Sequence, residues 1–148
     1  VGFYEISGGV RMATVLSNNL LSLLTVIAVG LLPFVHLSAL SLGMNALLLG
    51  GLAAFYARTG LGLTASFAGV LPPGIAELPA LILACAAGLY LCRATTYAAL
   101  GRVDRRTVSR TLGQCLRVYT HWVVPLLAVA AFIEAFVTPH IFGIFYKG

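Results

Sequence analysis

Between Arg11 and Arg58 the chain has no aspartate, glutamate, lysine or arginine. A helix needs about 20 mostly apolar residues to cross the hydrocarbon core of a bilayer, so this one stretch holds two crossings. Two further charge-poor stretches follow. Arg58 to Arg93 contains one charged residue, Glu77, and Arg117 to Lys147 contains one, Glu134. Overall 60% of the residues are hydrophobic and 9% charged, against about 25% charged in soluble domains, so a water-facing surface cannot be covered. The apolar runs are continuous rather than alternating, which favours helices over transmembrane strands. The expected fold is all-α: one domain forming a polytopic transmembrane helical bundle of about four spans.

The first span is expected over residues 13–34 and the second over 37–57, with a tight reversal at Pro33 to His36. After Arg58-Thr59-Gly60 comes LGLTASFAGVL, about half a span in length. It reads as a short interfacial or re-entrant helix ended by Pro72-Pro73-Gly74. The third span is expected over 75–92 and the fourth over 119–138, closed by Pro139, with an aromatic anchor at 141–146.

Residues 93–118 form a basic connection. Arg93, Arg102, Arg105, Arg106, Arg110 and Arg117 face one acid, Asp104, and Val108, Leu112 and Cys115 recur among them at helical intervals. The pattern predicts an amphipathic helix lying on the cytoplasmic membrane surface, its arginines (102, 105, 106 and 110 above all) meeting anionic lipid. The positive-inside rule places this segment in the cytoplasm. The visible N-terminus, the 58–73 connection and the C-terminus then lie outside, and Tyr119 and Trp122 fall at the inner interface. The net charge of +5 follows from these juxtamembrane arginines and does not imply nucleic acid. The expected location is the cell membrane, multi-pass.

That orientation puts Asn18, Asn19, Arg58, Glu77 and Glu134 at a similar depth in the outer half of the bundle. A charged group inside the bilayer costs at least about 2.5 kcal/mol on insertion scales and normally faces protein, water or a counter-ion. Either these groups cap and cross-link helices, with Arg58 neutralising a carboxylate, or they line a small polar cavity that binds a proton, a cation or a partner's polar segment, or Glu77 or Glu134 snorkels to the interface. Glu77 and Glu134 are expected to approach each other or to share Arg58.

Other residues point away from chemistry. His36, His121 and His140 are spread over both faces, and Cys85, Cys92 and Cys115 lack CxxC spacing, so no metal site or cofactor is expected. No GxSxG, HExxH or Walker sequence occurs and no catalytic set is visible, so an enzyme is not expected. Ala46-xxx-Gly50 and Ala84-xxx-Gly88 permit close helix contact, and mid-span Asn45 suits a helix–helix hydrogen bond. No signal peptide is evident, and the valine start suggests an upstream segment.

Two segments carry a family resemblance. GVLPPGIAELPALILACAAGLYLCRA resembles the LPHG-x-x-ELPA-type motif and following helix of the stage II sporulation protein M family. PLLAVAAFIEAFVTP resembles that family's closing helix, and Asn18-Asn19 opening a long apolar run recurs there. The family's Pro-His-Gly reads Pro72-Pro73-Gly74 here, so a role resting on that histidine has no counterpart. The resemblance covers about Ser17 to Pro139 and carries over Pro72, Gly74, Glu77, Leu78, Pro79, Glu134 and Pro139. It implies a membrane component that organises an envelope complex, as the namesake does beside peptidoglycan-degrading enzymes during sporulation. The expected partners are anionic lipids and other membrane or envelope proteins, peptidoglycan hydrolases first, with a homo-oligomer also open. The alternative is a permease-like transport subunit served by a separate ATPase, which proline-interrupted spans and intramembrane acids would suit.

Overall fold

The computed structural model describes the backbone of residues 2–58 and 62–137, and the side chains of 12–55, 57–58 and 74–136. Among the described residues there are helices and no strands. Four helices are long and apolar enough to cross a membrane: Met12–Leu31, Leu37–Phe55, Gly74–Ala99 and Arg105–Phe136.

Helix α1 (Gly2–Ala28) tightens into a 3₁₀ turn at Val29–Leu31. Pro33 cannot continue the helix. Phe34 takes a left-handed backbone conformation with φ 65°, and its N–H donates to Thr96 Oγ1 at 2.9 Å. That bond fixes the reversal, and α2 (Leu37–Arg58) descends from it as expected.

Helix α3 (Gly62–Ala99) corrects one expectation. The stretch read as a separate short helix before Pro72-Pro73-Gly74 is the first part of α3, and the backbone stays helical through both prolines. A proline removes one hydrogen bond and crowds the preceding turn, but in membrane helices neighbouring groups re-satisfy the freed carbonyls. The helix also continues past residue 92, where Arg93 lies over the Tyr97 ring at 5.5 Å. It ends in a Schellman motif. Gly101, at φ 69°, donates to the Ala98 carbonyl (3.0 Å) and Arg102 to the Tyr97 carbonyl (2.9 Å), and only glycine enters that backbone region without strain.

The basic segment brings a second correction. Its amphipathic helix, α4 (Arg105–Val118), is not a separate element lying on the membrane. It runs without a break through a π-turn at Tyr119–Val123 into α5 (Val124–Phe132) and a second π-turn at Ile133–Val137. Thr111 and Cys115 are buried, and Val108 and Leu112 pack on the core. The Cys115 thiol points at the Ala87 carbonyl (3.3 Å), so α4 stands antiparallel against α3. Its apolar face therefore serves the bundle rather than lipid.

The π-turns follow from the residue pattern. Cys115, Tyr119, Val123, Leu127, Ala131 and Ala135 are all buried at four-residue spacing. At about 100° per residue an unbroken α-helix would rotate this set about 200° off the core between its ends. Each π-turn accommodates one extra residue and returns about 100°, so two restore a single face. Pro125, which has no N–H for the turn before it, explains where the first one falls.

The core is a three-helix unit of α1, α3 and the last helix, built on Leu23, Val26 and Ile27, on Ala80, Leu81, Ala84, Cys85 and Leu91, and on the buried stripe just named. Helices α1 and α3 run parallel and touch backbone to backbone, since a Cβ on Gly30 would strike the Gly88 carbonyl. Of the two small-residue pairs, Ala84 and Gly88 make this crossing, whereas Ala46 and Gly50 are exposed and a Cβ on Gly50 meets nothing within 4 Å. Helix α2 flanks the core. Its first turn is anchored by buried Ser38, whose hydroxyl donates to the Val26 carbonyl at 2.8 Å, while Leu40, Met44, Leu47 and Leu48 face outward.

Candidate functional site

The parallel register of α1 and α3 places Asn19 beside Glu77. The Asn19 amide Nδ2 donates to Glu77 Oε1 at 2.7 Å, with a sequence offset of 58 residues, the same as from Gly30 to Gly88. Glu134 comes from the second π-turn and lies close enough to Glu77 for the two carboxylates to repel. Tyr119 closes the layer by donating its hydroxyl proton to the Leu20 carbonyl at 2.7 Å, next to Asn19.

The five groups expected at one depth therefore divide. Asn19, Glu77 and Glu134 come together inside the three-helix core. Asn18, about 100° around α1, faces the other way. It lines a groove of about 570 Å³ between α1 and α2, together with Ser22, Thr25, Ser41 and Asn45. Asn45 Nδ2 donates to the Ser41 carbonyl of its own helix at 2.9 Å instead of bonding across helices. Arg58 ends α2 exposed and is not among the groups acting on Glu77. Glu77 thus meets an amide and has the Glu134 carboxylate for a neighbour, so of the two expected arrangements the approach of the carboxylates is found and the shared Arg58 is not.

Of the family-motif positions, Leu78 and Pro79 are exposed and Gly74 is open to the surroundings. The Pro72 side chain, Pro139, Thr59, His140 and the aromatic segment 141–146 lie outside the described residues. Arg102, Arg105, Arg106 and Arg110 are exposed around the α3–α4 turn. Trp122 is exposed, as an interfacial residue would be, but Tyr119 is 9% exposed and belongs to the bundle. No group of three or more His, Cys, Asp or Glu able to hold a metal occurs among the described residues.

Sequence reasoning missed two residues that fix this geometry. Tyr119 carries a legible signal, its place in the four-residue stripe. Ser38 carries none, because a serine one residue into an apolar span looks the same whether it faces lipid or a neighbouring carbonyl.

Four helices long and apolar enough to cross a membrane, packed with a small polar layer between them, are the build of an α-helical membrane protein. The family model for stage II sporulation protein M matches residues 4–139, nearly the whole chain. The chain belongs to that family. No curated protein and no solved structure matches it.

Proposed function

We propose that the chain is a non-catalytic membrane subunit that organises an envelope complex, with peptidoglycan-remodelling enzymes as the partners its family suggests. The observation that carries this reading is the division of the bundle. A closed three-helix core is locked by the Gly30–Gly88 crossing and the Tyr119 bond to α1. Beside it, α2 offers an outward face and a groove with unusual polarity for a lipid-facing surface. Among the described residues, Asn18 and Ser22 make no hydrogen bond, and intramembrane amides and hydroxyls are commonly satisfied by a neighbouring helix. A rigid core with an unsatisfied flank suits a part that holds other membrane proteins. Purification from its own membrane in mild detergent tests this: wall hydrolases or their membrane anchors should co-purify, and Asn18→Leu with Asn45→Leu should reduce them. An ATPase co-purifying in their place would overturn it.

A second reading has its own observation. Glu77, Glu134 and Asn19 form a polar layer within the core, and such layers occur where permeases bind ions or protons. In this reading the chain is a permease-like subunit and the carboxylates are the site.

A further inference from the structure

While Cys115, Tyr119, Val123 and Leu127 turn into the core, another face of the same helix carries a second pattern. Arg110, Gln114, Arg117 and His121 follow one another at helical spacing, all exposed. Beside them lies a cavity of about 330 Å³ lined by Gln114, Arg117, Val118, His121 and Trp122. Val118 and the exposed Trp122 ring give it apolar walls. Gln114 and Arg117 lean toward the α3–α4 turn and give it a polar rim at that end. His121 is held in the wall by its own helix, since its Nδ1 donates to the Arg117 carbonyl at 3.0 Å. Among the described residues, the Gln114 amide, the Arg117 guanidinium and the Trp122 indole N–H have no hydrogen-bond partner.

Depth restricts what can enter. The Cys115 thiol meets the Ala87 carbonyl, which sets this part of the last helix level with Ala87. The exposed apolar turn Leu32–Val35 is bonded farther along α3, at Cys92 and Thr96, and the third candidate span runs on to Ala99. Thr96 lies about 14 Å beyond Ala87 along the helix. The cavity therefore opens within the membrane, below the apolar turn, where a soluble protein does not reach. A guanidinium at this depth is costly unless it snorkels to a phosphate or meets another counter-charge.

A neighbouring helix and a lipid are the two membrane components that could supply one. Membrane helices pack closely through small residues. The exposed side chains that continue the last helix past the cavity, Trp122, Val129, Phe132 and Phe136, are bulky instead. A phospholipid matches both halves, with a phosphate for the rim and an acyl chain for the walls. No carboxylate lines the cavity, so the amine of a zwitterionic headgroup finds no partner there. An anionic headgroup keeps its full attraction to Arg117, with Arg110 one turn above Gln114.

We propose that the cavity at Gln114–Trp122 is a binding site for one anionic phospholipid, its phosphate on Arg117 and Gln114 and an acyl chain against Val118 and Trp122. Arg102, Arg105 and Arg106, at the α3–α4 turn, are not part of it. The inference goes beyond both readings of function and holds under either.

Trp122 is the single tryptophan of the chain and so reports on the site directly. The test reconstitutes the full chain in vesicles of equal parts phosphatidylcholine and phosphatidylglycerol, with bromine on the acyl chains of one lipid or of the other. Bromine quenches indole fluorescence only at short range. Brominated phosphatidylglycerol should quench Trp122 more strongly, with a preference of about fivefold, the contribution of one arginine against an anionic surface. R117Q, a change at an exposed side chain checked for an unchanged melting temperature, should make the two lipids quench equally. R102Q/R105Q/R106Q should leave the preference intact, and added inorganic phosphate should not compete. Equal quenching in the native protein, a preference that survives R117Q, one lost equally in the turn variant, or displacement by inorganic phosphate would each overturn the proposal. So would a Trp122 that neither brominated lipid quenches, because a second copy would then cover this face.

Discussion

Asn19 on α1 and Glu77 on α3 are joined by a 2.7 Å hydrogen bond across two parallel helices, in the register fixed by the Gly30–Gly88 contact farther along. The polar contact and the backbone contact thus specify one another. Sliding α1 by a single turn would separate both pairs. A double-mutant cycle on Asn19→Leu and Glu77→Leu should show coupling of about 1–2 kcal/mol in detergent unfolding, because each single change strands the other group in an apolar setting. Additive losses would mean that the bond contributes nothing to the register.

Gly30 and Gly88 should tolerate nothing larger. Gly88→Ala places a methyl 2.6 Å from the Val26 carbonyl as well as against the Ser38 hydroxyl, and overpacking of this kind costs about 1–3 kcal/mol. Gly30→Ala should behave alike. Gly43→Ala and Gly50→Ala meet nothing within 4 Å and should leave the melting temperature unchanged or slightly raised. Equal melting of all four variants would contradict the crossing.

Tyr119→Phe removes one hydroxyl and leaves the Leu20 carbonyl without it. A loss of about 1 kcal/mol is expected, with a matching fall in membrane abundance. Tyr90→Phe, at a 54% exposed position, is the control and should change neither.

The two turns joining α1 to α2 and α3 to α4 lie on one side, tied by the Phe34 to Thr96 bond. Single cysteines in place of Phe34 and Arg105 should therefore react with an impermeant maleimide from the same face, the cytoplasm by the charge rule, and one at Arg58 from the opposite face. Labelling of all three from one side would break the four-span topology.

How much of this was legible in the sequence depended on which physical signal each feature leaves. Spans announce themselves through what they lack, so the charge gap from Arg11 to Arg58 and those around Glu77 and Glu134 indicated four membrane-length helices, the first two within a few residues of their bounds, whereas the third runs on to Ala99 and the fourth begins at Arg105. The family followed from two motifs. The pairing of Glu77 with Glu134 followed from topology and depth. Facing did not. Asn18 and Asn19 are adjacent, yet one bonds in the core and the other lines the groove, because no amphipathic pattern separates protein-facing from lipid-facing sides when both are apolar. For the same reason Ala46-xxx-Gly50 and Ala84-xxx-Gly88 read alike and behave differently. The double proline at 72 and 73 suggested a break because the rule for soluble helices overstates the cost in a membrane. Arginine spacing around α4 showed its polar face correctly, but only the unbroken burial at Cys115, Tyr119 and Val123 reveals that this helix is the near half of the last span.

The central claim, that the chain organises partners rather than moving a solute, is tested most directly by measuring proton and sodium flux alongside partner retention for the E77Q/E134Q variant in reconstituted vesicles. Gln keeps the shape and removes the charge. The account predicts no flux attributable to either carboxylate, together with reduced abundance from the disturbed polar layer and partner loss in proportion to it. Flux in the native protein that disappears in a normally abundant E77Q/E134Q variant would contradict it.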